Sequence, residues 1–182
     1  MGPQAQHAAD LARSLLQAPL PRRWAHSQGV AAHAASLAPI LGEDADVLHA
    51  AAWLHDIGYS PALATTGFHP LDGARYLRDV EHADPRLCRL VANHSCACIE
   101  AEERGLADVL SAEFPAEDDD LTAPLIYCDM TTDPDGTSVT FGARLDEILS
   151  RYGDGDIVSR SMQRAAPAVR RAIAEVERRL SV

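Results

Sequence analysis

Helical periodicity dominates the pattern of apolar and polar positions along this chain, and strand-like alternation is scarce. A first helix is predicted to stop near residue 18 at "PLPRR". A second begins in "WAHSQGVAAHAASLA" and is ended by Pro39 and Gly42. In the central helix that follows, capped by Asp44, Val47, Ala51 and Leu54 share one face and Leu48, Ala52 and His55 the adjacent one. Both sides are therefore expected to face a core. Gly58 stands where a left-handed C-terminal residue belongs. "SPALATTGF" reads as a loop, and a short helix follows His69 and Pro70 through "LDGARYLRDV". Asp84 at the N-cap and Pro85 at N1 start "RLCRLVANHS". "CACIEAEERG" and "LADVLSAEF" read as short helical pieces, "PAEDDD" as a solvated acidic loop, and "LTAPLIYCDM" as a helix with Pro124 in its first turn. "FGARLDEILSRYG", capped by Thr140, and residues 156–180 complete the series. In the last segment Met162, Val169, Ile173, Val176 and Leu180 form an apolar stripe, suited to packing on the bundle or to a homodimer contact.

Composition narrows this to an all-α, compact multi-helix bundle: 47% of the residues are hydrophobic but only 5% aromatic, alanine is abundant, and no repeat breaks the series. The 182 residues suit a single domain, 1–182, with its core over about 20–155 and the segment 156–182 packed on it. A net charge of −11 opposes a nucleic-acid-binding face, which needs clustered basic residues to neutralise phosphates. All sixteen basic residues are arginine. A small anionic ligand is still compatible if a metal and a few arginines focus positive charge in one cleft. No signal-type apolar region opens the chain and no run approaches membrane-spanning length, so a cytoplasmic protein without a membrane partner is expected. Cys88, Cys96, Cys98 and Cys128 are expected as reduced, small core residues.

Candidate chemistry begins at "WLHDIGY", where the pair His55-Asp56 ends a stretch as apolar as "VLHAAAWL". Burying an imidazole and a carboxylate costs several kcal/mol, roughly, unless each finds a hydrogen bond, an opposite charge or a metal. Others share the predicament. His26 lies on the second helix among core-facing positions, Asp129 interrupts "PLIYCDM", and His69 and His94 stand at helix edges. The set His26, His55, Asp56, His69, His94 and Asp129 offers imidazole and carboxylate but no thiolate. That favours one or two divalent ions, iron, manganese, cobalt or nickel ahead of zinc or magnesium. Neighbouring helical residues point about 100° apart, so His55 can bind one ion while Asp56 bridges to the next. Arg22, Arg23, Arg75, Arg104, Arg144 and Arg151 are candidate phosphate clamps. Arg23 leads them because it precedes His26 by one helical turn. His33 and His49 are read as packing residues, and His7 and His82 stand outside the set.

The order H…HD…H…H…D, centred on "LHDIGY" with "DM" late in the chain, resembles the HD superfamily of metal-dependent phosphohydrolases over roughly residues 20–155. The resemblance implies an all-α bundle in which His26, His55, Asp56 and Asp129 hold one metal at the centre and His69 and His94 take the positions that hold a second. Many members carry Lys shortly after the HD pair, where this chain has Tyr59, so phosphate recognition by that route is not expected. The expected function is hydrolysis of a small phosphate ester or anhydride, nucleotide-like, by a metal-activated hydroxide, with Asp56, Asp129 and Arg23 as catalytic residues. Two rival readings are a di-iron oxygenase cleaving a C–C or C–P bond, because some relatives use the same ligand order, and a non-catalytic metal- or ligand-binding protein.

Overall fold

Proline and glycine punctuate the chain into short helices, and a computed structural model, which describes residues 1–181, shows where each begins and ends. The helices are α1 (Pro3–Leu16), α2 (Pro21–Ser36), α3 (Ala38–Leu41), α4 (Ala45–Leu54), α5 (His69–Asp79), α6 (Pro85–Asn93), α7 (Ala97–Arg104), α8 (Ala107–Glu113), α9 (Thr122–Met130), α10 (Phe141–Tyr152) and α11 (Ile157–Leu180). No strand occurs among the described residues; Thr132 and Ser138 form one isolated antiparallel bridge. The all-α bundle is as expected, with the candidate metal-binding residues at its centre.

Several boundaries differ from the expected ones for local reasons. Pro21 opens α2 at its first helical position, where its fixed φ is an advantage, so "PLPRR" starts a helix as well as ending one. Pro39 lies in the first turn of α3, and Gly42, at φ 59°, makes the turn toward α4. Asp44 does not cap α4 with its side chain, because it pairs instead with Arg86 at 2.6 Å. The carboxylate of Asp46 accepts from the backbone N–H groups of Gln4 and Ala5, tying the start of α1 to α4. Asp84, Thr140 and Asp156 cap α6, α10 and α11 through side-chain hydrogen bonds. In the acidic loop, Asp119 is drawn inward to Arg86 at 2.7 Å, so that run is not wholly solvated.

Alanine explains how closely α4 is enclosed. Ala50, Ala51 and Ala52 are fully buried beside Leu48 and Leu54, and α1, with Ala5, Ala8, Ala12 and Leu16 buried, packs along this helix. α2, α6 and α9 surround the rest of α4. A smaller apolar cluster joins α9, α10 and α11 through Ile126, Met130, Phe141, Ala165, Val169 and Ile173. The apolar stripe of α11 thus packs on its own bundle: Val169, Ile173 and Val176 are buried, and only Leu180 at the far end is exposed. Cys88 and Cys128 are buried, Cys96 is half-buried and Cys98 is exposed; all four are free.

Candidate metal centre

α4 ends at Leu54, and the two residues beyond it leave the helix by different routes. His55 retains helical angles, whereas Asp56 moves to φ −105°, ψ 5° and leads into a 3-10 turn over Ile57–Tyr59. The two side chains are thereby splayed toward different parts of one centre. Gly58, in that turn, is not left-handed. Its requirement is space: a Cβ there would lie 2.0 Å from the carbonyl oxygen of His69 and 2.7 Å from the nitrogen of Gly73. The turn rests directly on the start of α5, which fixes His69 relative to the HD pair. Asp72 secures the same segment by accepting from the backbone and hydroxyl groups of Thr65 and Thr66.

His26 is positioned from the other side. The turn through Asp133–Thr137 lies so close to α2 that a Cβ on Gly29 would meet the Gly136 carbonyl at 2.4 Å. One on Gly136, at φ 84°, would meet the Ala25 carbonyl at 2.4 Å. This contact brings the Asp133 carbonyl to 2.9 Å from His26 Nδ1. The carbonyls of Ala52 and Val91 stand likewise at 2.8 Å and 2.7 Å from Nδ1 of His55 and His94. A carbonyl can only accept, so Nδ1 donates in all three rings, and in the neutral ring the lone pair is on Nε2. Each of these Nε2 atoms faces the centre.

The donor atoms fall into two groups, each within 4.8 Å: His26, His55 and Asp129 in one, Asp56, His69 and His94 in the other. Asp56 joins them. Its Oδ2 lies 3.3 Å from His55 Nε2 and 3.8 Å from His26 Nε2, while its Oδ1 lies 3.3 Å from His69 Nε2 and 4.0 Å from His94 Nε2. Asp129 Oδ1 is 3.0 Å from His26 Nε2 and 3.8 Å from His55 Nε2, and His69 and His94 meet Nε2 to Nε2 at 3.2 Å. Ligands at about 2.1 Å from one ion are roughly 3 Å apart when adjacent and roughly 4.2 Å when opposite. Every one of these separations falls within that interval. His55 Nε2 is moreover fully buried without any hydrogen-bond partner. A nitrogen so placed among carboxylate oxygens suits either a metal cation or a proton shared with Asp56.

The electrostatics point the same way. Burial disfavours the ionised form of Asp56, but Arg23 first, then His55 and His69, outweigh it and hold the carboxyl well below the usual range. Asp129 is also lowered against its burial, by His26 and His55. Burial pushes His69 and His94 down, favouring the neutral, ligating ring. His55 differs: burial is overcome by Asp56 and Asp129, which raise it to about 9. Without a cation, a proton is drawn to His55 to balance the carboxylates. The folded value exceeds the ordinary 6.5, so this contribution is complete below about pH 6.5 and is lost as pH rises through about 9. Chelator-treated protein should therefore lose up to a few kcal/mol between pH 6.5 and 9, read by chemical denaturation. Over the same range its metal affinity should rise, because the ion competes with that proton. An affinity that is flat in pH would show that His55 gives up no proton to the ion.

Ser95, which no motif marks, completes the centre together with Arg23 and Tyr59. Ser95 and Cys96 adopt left-handed angles, φ 49° and 63°, in the kink between α6 and α7. For non-glycine residues that conformation costs roughly 1–2 kcal/mol each. It delivers Ser95 Oγ to Asp129 Oδ2 at 2.5 Å, leaving Oδ1 toward the first group. Tyr59 stacks on the His69 ring at 3.9 Å and underlies the Arg23 guanidinium at 4.1 Å. Arg23 Nη1 holds Asp56 Oδ2 at 2.7 Å. Of the six arginines, Arg23, Arg144 and Arg151 line the cleft over the centre. Arg22, Arg75 and Arg104 pair elsewhere with Asp135, Glu113 and Glu100. His33 meets the hydroxyls of Thr131 and Thr132, and His49 stacks on Trp53, both outside the centre.

The HD domain family model matches residues 23–126, more than half of the chain. The chain belongs to the HD-domain family. That is a superfamily of metal-dependent phosphohydrolases, and the matched span holds His26, His55, Asp56, His69 and His94; Asp129 lies just beyond it. No curated protein and no solved structure matches the chain. Among the described residues of this HD-domain protein, no helix is long and apolar enough to cross a membrane.

Proposed function

We propose that this HD-domain protein is a phosphohydrolase of small phosphate esters or anhydrides, nucleotide-like in size, working with two divalent ions. The observation that carries the reading is Asp56, one carboxylate whose two oxygens face two separate donor groups at the base of a cleft bearing arginines. His26, His55, Asp129 and Asp56 Oδ2 would hold one ion, and His69, His94 and Asp56 Oδ1 the other. The N/O donor set suits iron, manganese, cobalt or nickel. Ions held there would supply Lewis acidity and a water acidified from about 16 toward 7, able to attack at neutral pH.

The chain's own groups do the rest. His26, His55, Asp56, His94 and Asp129 are each at most 5% exposed, which strengthens every charge interaction at the floor of the cleft. Arg23, over the ring of Tyr59, stands at the cleft wall with a guanidinium suited to phosphate oxygens. Asp129, with Oδ2 fixed by Ser95, presents Oδ1 to the first donor group, so it would orient the attacking water through the ion it helps to hold.

Metal analysis of the purified protein should find bound transition metal. Phosphate release from a panel of nucleotides and small phosphate esters should proceed equally with and without oxygen. Oxygen consumption with no phosphate release from the metal-loaded protein would overturn the reading in favour of the di-iron oxygenase. Metal without turnover of either kind would favour a binding protein.

A further inference from the structure

α10 and α11 wall the same cleft from outside the span matched by the family model, and they bring polar groups that the metal centre does not use. Arg144 is 4% exposed, and its Nη1 pairs with Glu147 Oε2 at 2.5 Å, but its Nε is buried without any partner. Ser161, on α11, is equally buried, and its Oγ also has none. Both residues line the cleft together with Arg151. Buried donors without acceptors are rare, because burial strips their water and returns nothing. Glu147 cannot satisfy this wall: one carboxylate is shared between Arg144 and, at 3.4 Å, Arg151. Within α10 two guanidiniums thus share one carboxylate, and Glu100 of α7, which also lines the cleft, is paired with Arg104. Ile148 and Met162, which also line the cleft, add apolar surface.

We propose that Arg144 and Ser161 form a second anion-recognition point in the cleft. The substrate is accordingly a phosphate compound carrying a second acidic group, a carboxylate or a further phosphate, joined by a short apolar linker. The inference rests on the phosphohydrolase reading and gives its substrate class. The guanidinium matches two oxygens of such a group, Ser161 donates to it, and Ile148 and Met162 line the linker. Arg23 and the metal centre take the phosphate end.

The test uses three phosphonates that cannot be hydrolysed, titrated calorimetrically into metal-loaded protein without oxygen: propylphosphonate, 3-phosphonopropionate and propane-1,3-bisphosphonate. One or both of the two-headed probes should bind about tenfold or more tightly than propylphosphonate. The tighter of the two identifies the second group as carboxylate or phosphate. In Arg144→Gln this preference should vanish, and in Ser161→Ala, a small change that leaves the fold intact, it should fall severalfold. Metal content and binding of inorganic phosphate should not move in either. Glu147→Gln should enlarge the preference, since it frees the guanidinium; a purely structural Arg144 would give no such gain. Equal binding of all three probes by the wild type, or a preference that survives in both Arg144→Gln and Ser161→Ala, would overturn the proposal while leaving the phosphohydrolase intact. Failure of metal-loaded wild type to bind inorganic phosphate would overturn both.

Discussion

Replacing Asp56 by alanine should empty the centre of metal and lower turnover on the order of a thousandfold or more. Asp56 faces both donor groups: Oδ1 is directed to His69 and His94, Oδ2 to His55 and His26. Alanine removes a ligand from both sites in one step and also takes away the partner of Arg23. A buried ion pair broken on one side leaves the other charge uncompensated, so the metal-free variant should be about 3 kcal/mol less stable than metal-free wild type. Asp56→Asn separates these effects. It keeps the shape and one oxygen for Arg23 but cannot present two anionic oxygens, so it should recover much of the stability and little of the metal. Full metal occupancy in Asp56→Ala, by elemental analysis, would remove Asp56 from the ligand set.

His69→Ala should lower the metal content from about two ions per chain to about one, and most turnover should go with the lost ion. His69 belongs only to the second group, and its nearest contacts are Asp56 Oδ1, His94 Nε2 and the ring of Tyr59. The group formed by His26, His55 and Asp129 is untouched by the change. A single ion cannot grip both the entering and the departing oxygen of an in-line displacement, which is why activity should fall although one site stays filled. His94→Ala should give the same stoichiometry with an additional loss of roughly 1–3 kcal/mol, because the ring is buried and the Val91 carbonyl would lose its donor. Anomalous scattering from wild-type crystals should show two peaks on either side of Asp56. One peak, with His69 turned to solvent, would reject the two-ion centre.

The six polar residues of the centre could be found in the sequence because each interrupts an apolar helical pattern, or stands at a helix edge, at a cost that needs a reason. The angle of about 100° between neighbouring helical residues already gives Asp56 a place between two groups, but the backbone route that puts it there was less legible. It depends on the turn after Leu54, where a backbone leaving the helix sends Asp56 away from the direction of His55. Ser95 was not legible at all: serine carries no signal for a left-handed angle, and its partner Asp129 is 34 residues away. Gly58 was singled out for a positive φ, when what it provides is room for the His69 carbonyl. Arg144 was only one of six arginines, for sequence cannot distinguish a guanidinium facing a cleft from one paired on the surface, as Arg22 is. Helix positions were recovered well and helix starts less well, since Pro21 can end one segment and open the next.

Three of the four histidines are aimed by the main-chain carbonyls of Asp133, Ala52 and Val91. Atoms of the peptide unit are the same whatever codon is read at those positions. Mutational drift at 52, 91 or 133 can alter a side chain without altering the acceptor that sets a ring's tautomer, provided the local backbone path survives. Selection on ring orientation therefore falls on packing, above all on Gly29, Gly58 and Gly136, where a single added methyl group would move the carbonyl or the ring it serves. The centre is buffered against most point changes in its supports and brittle at a few glycines. A lineage can thus rebuild the walls of the cleft without retuning the donor groups beneath.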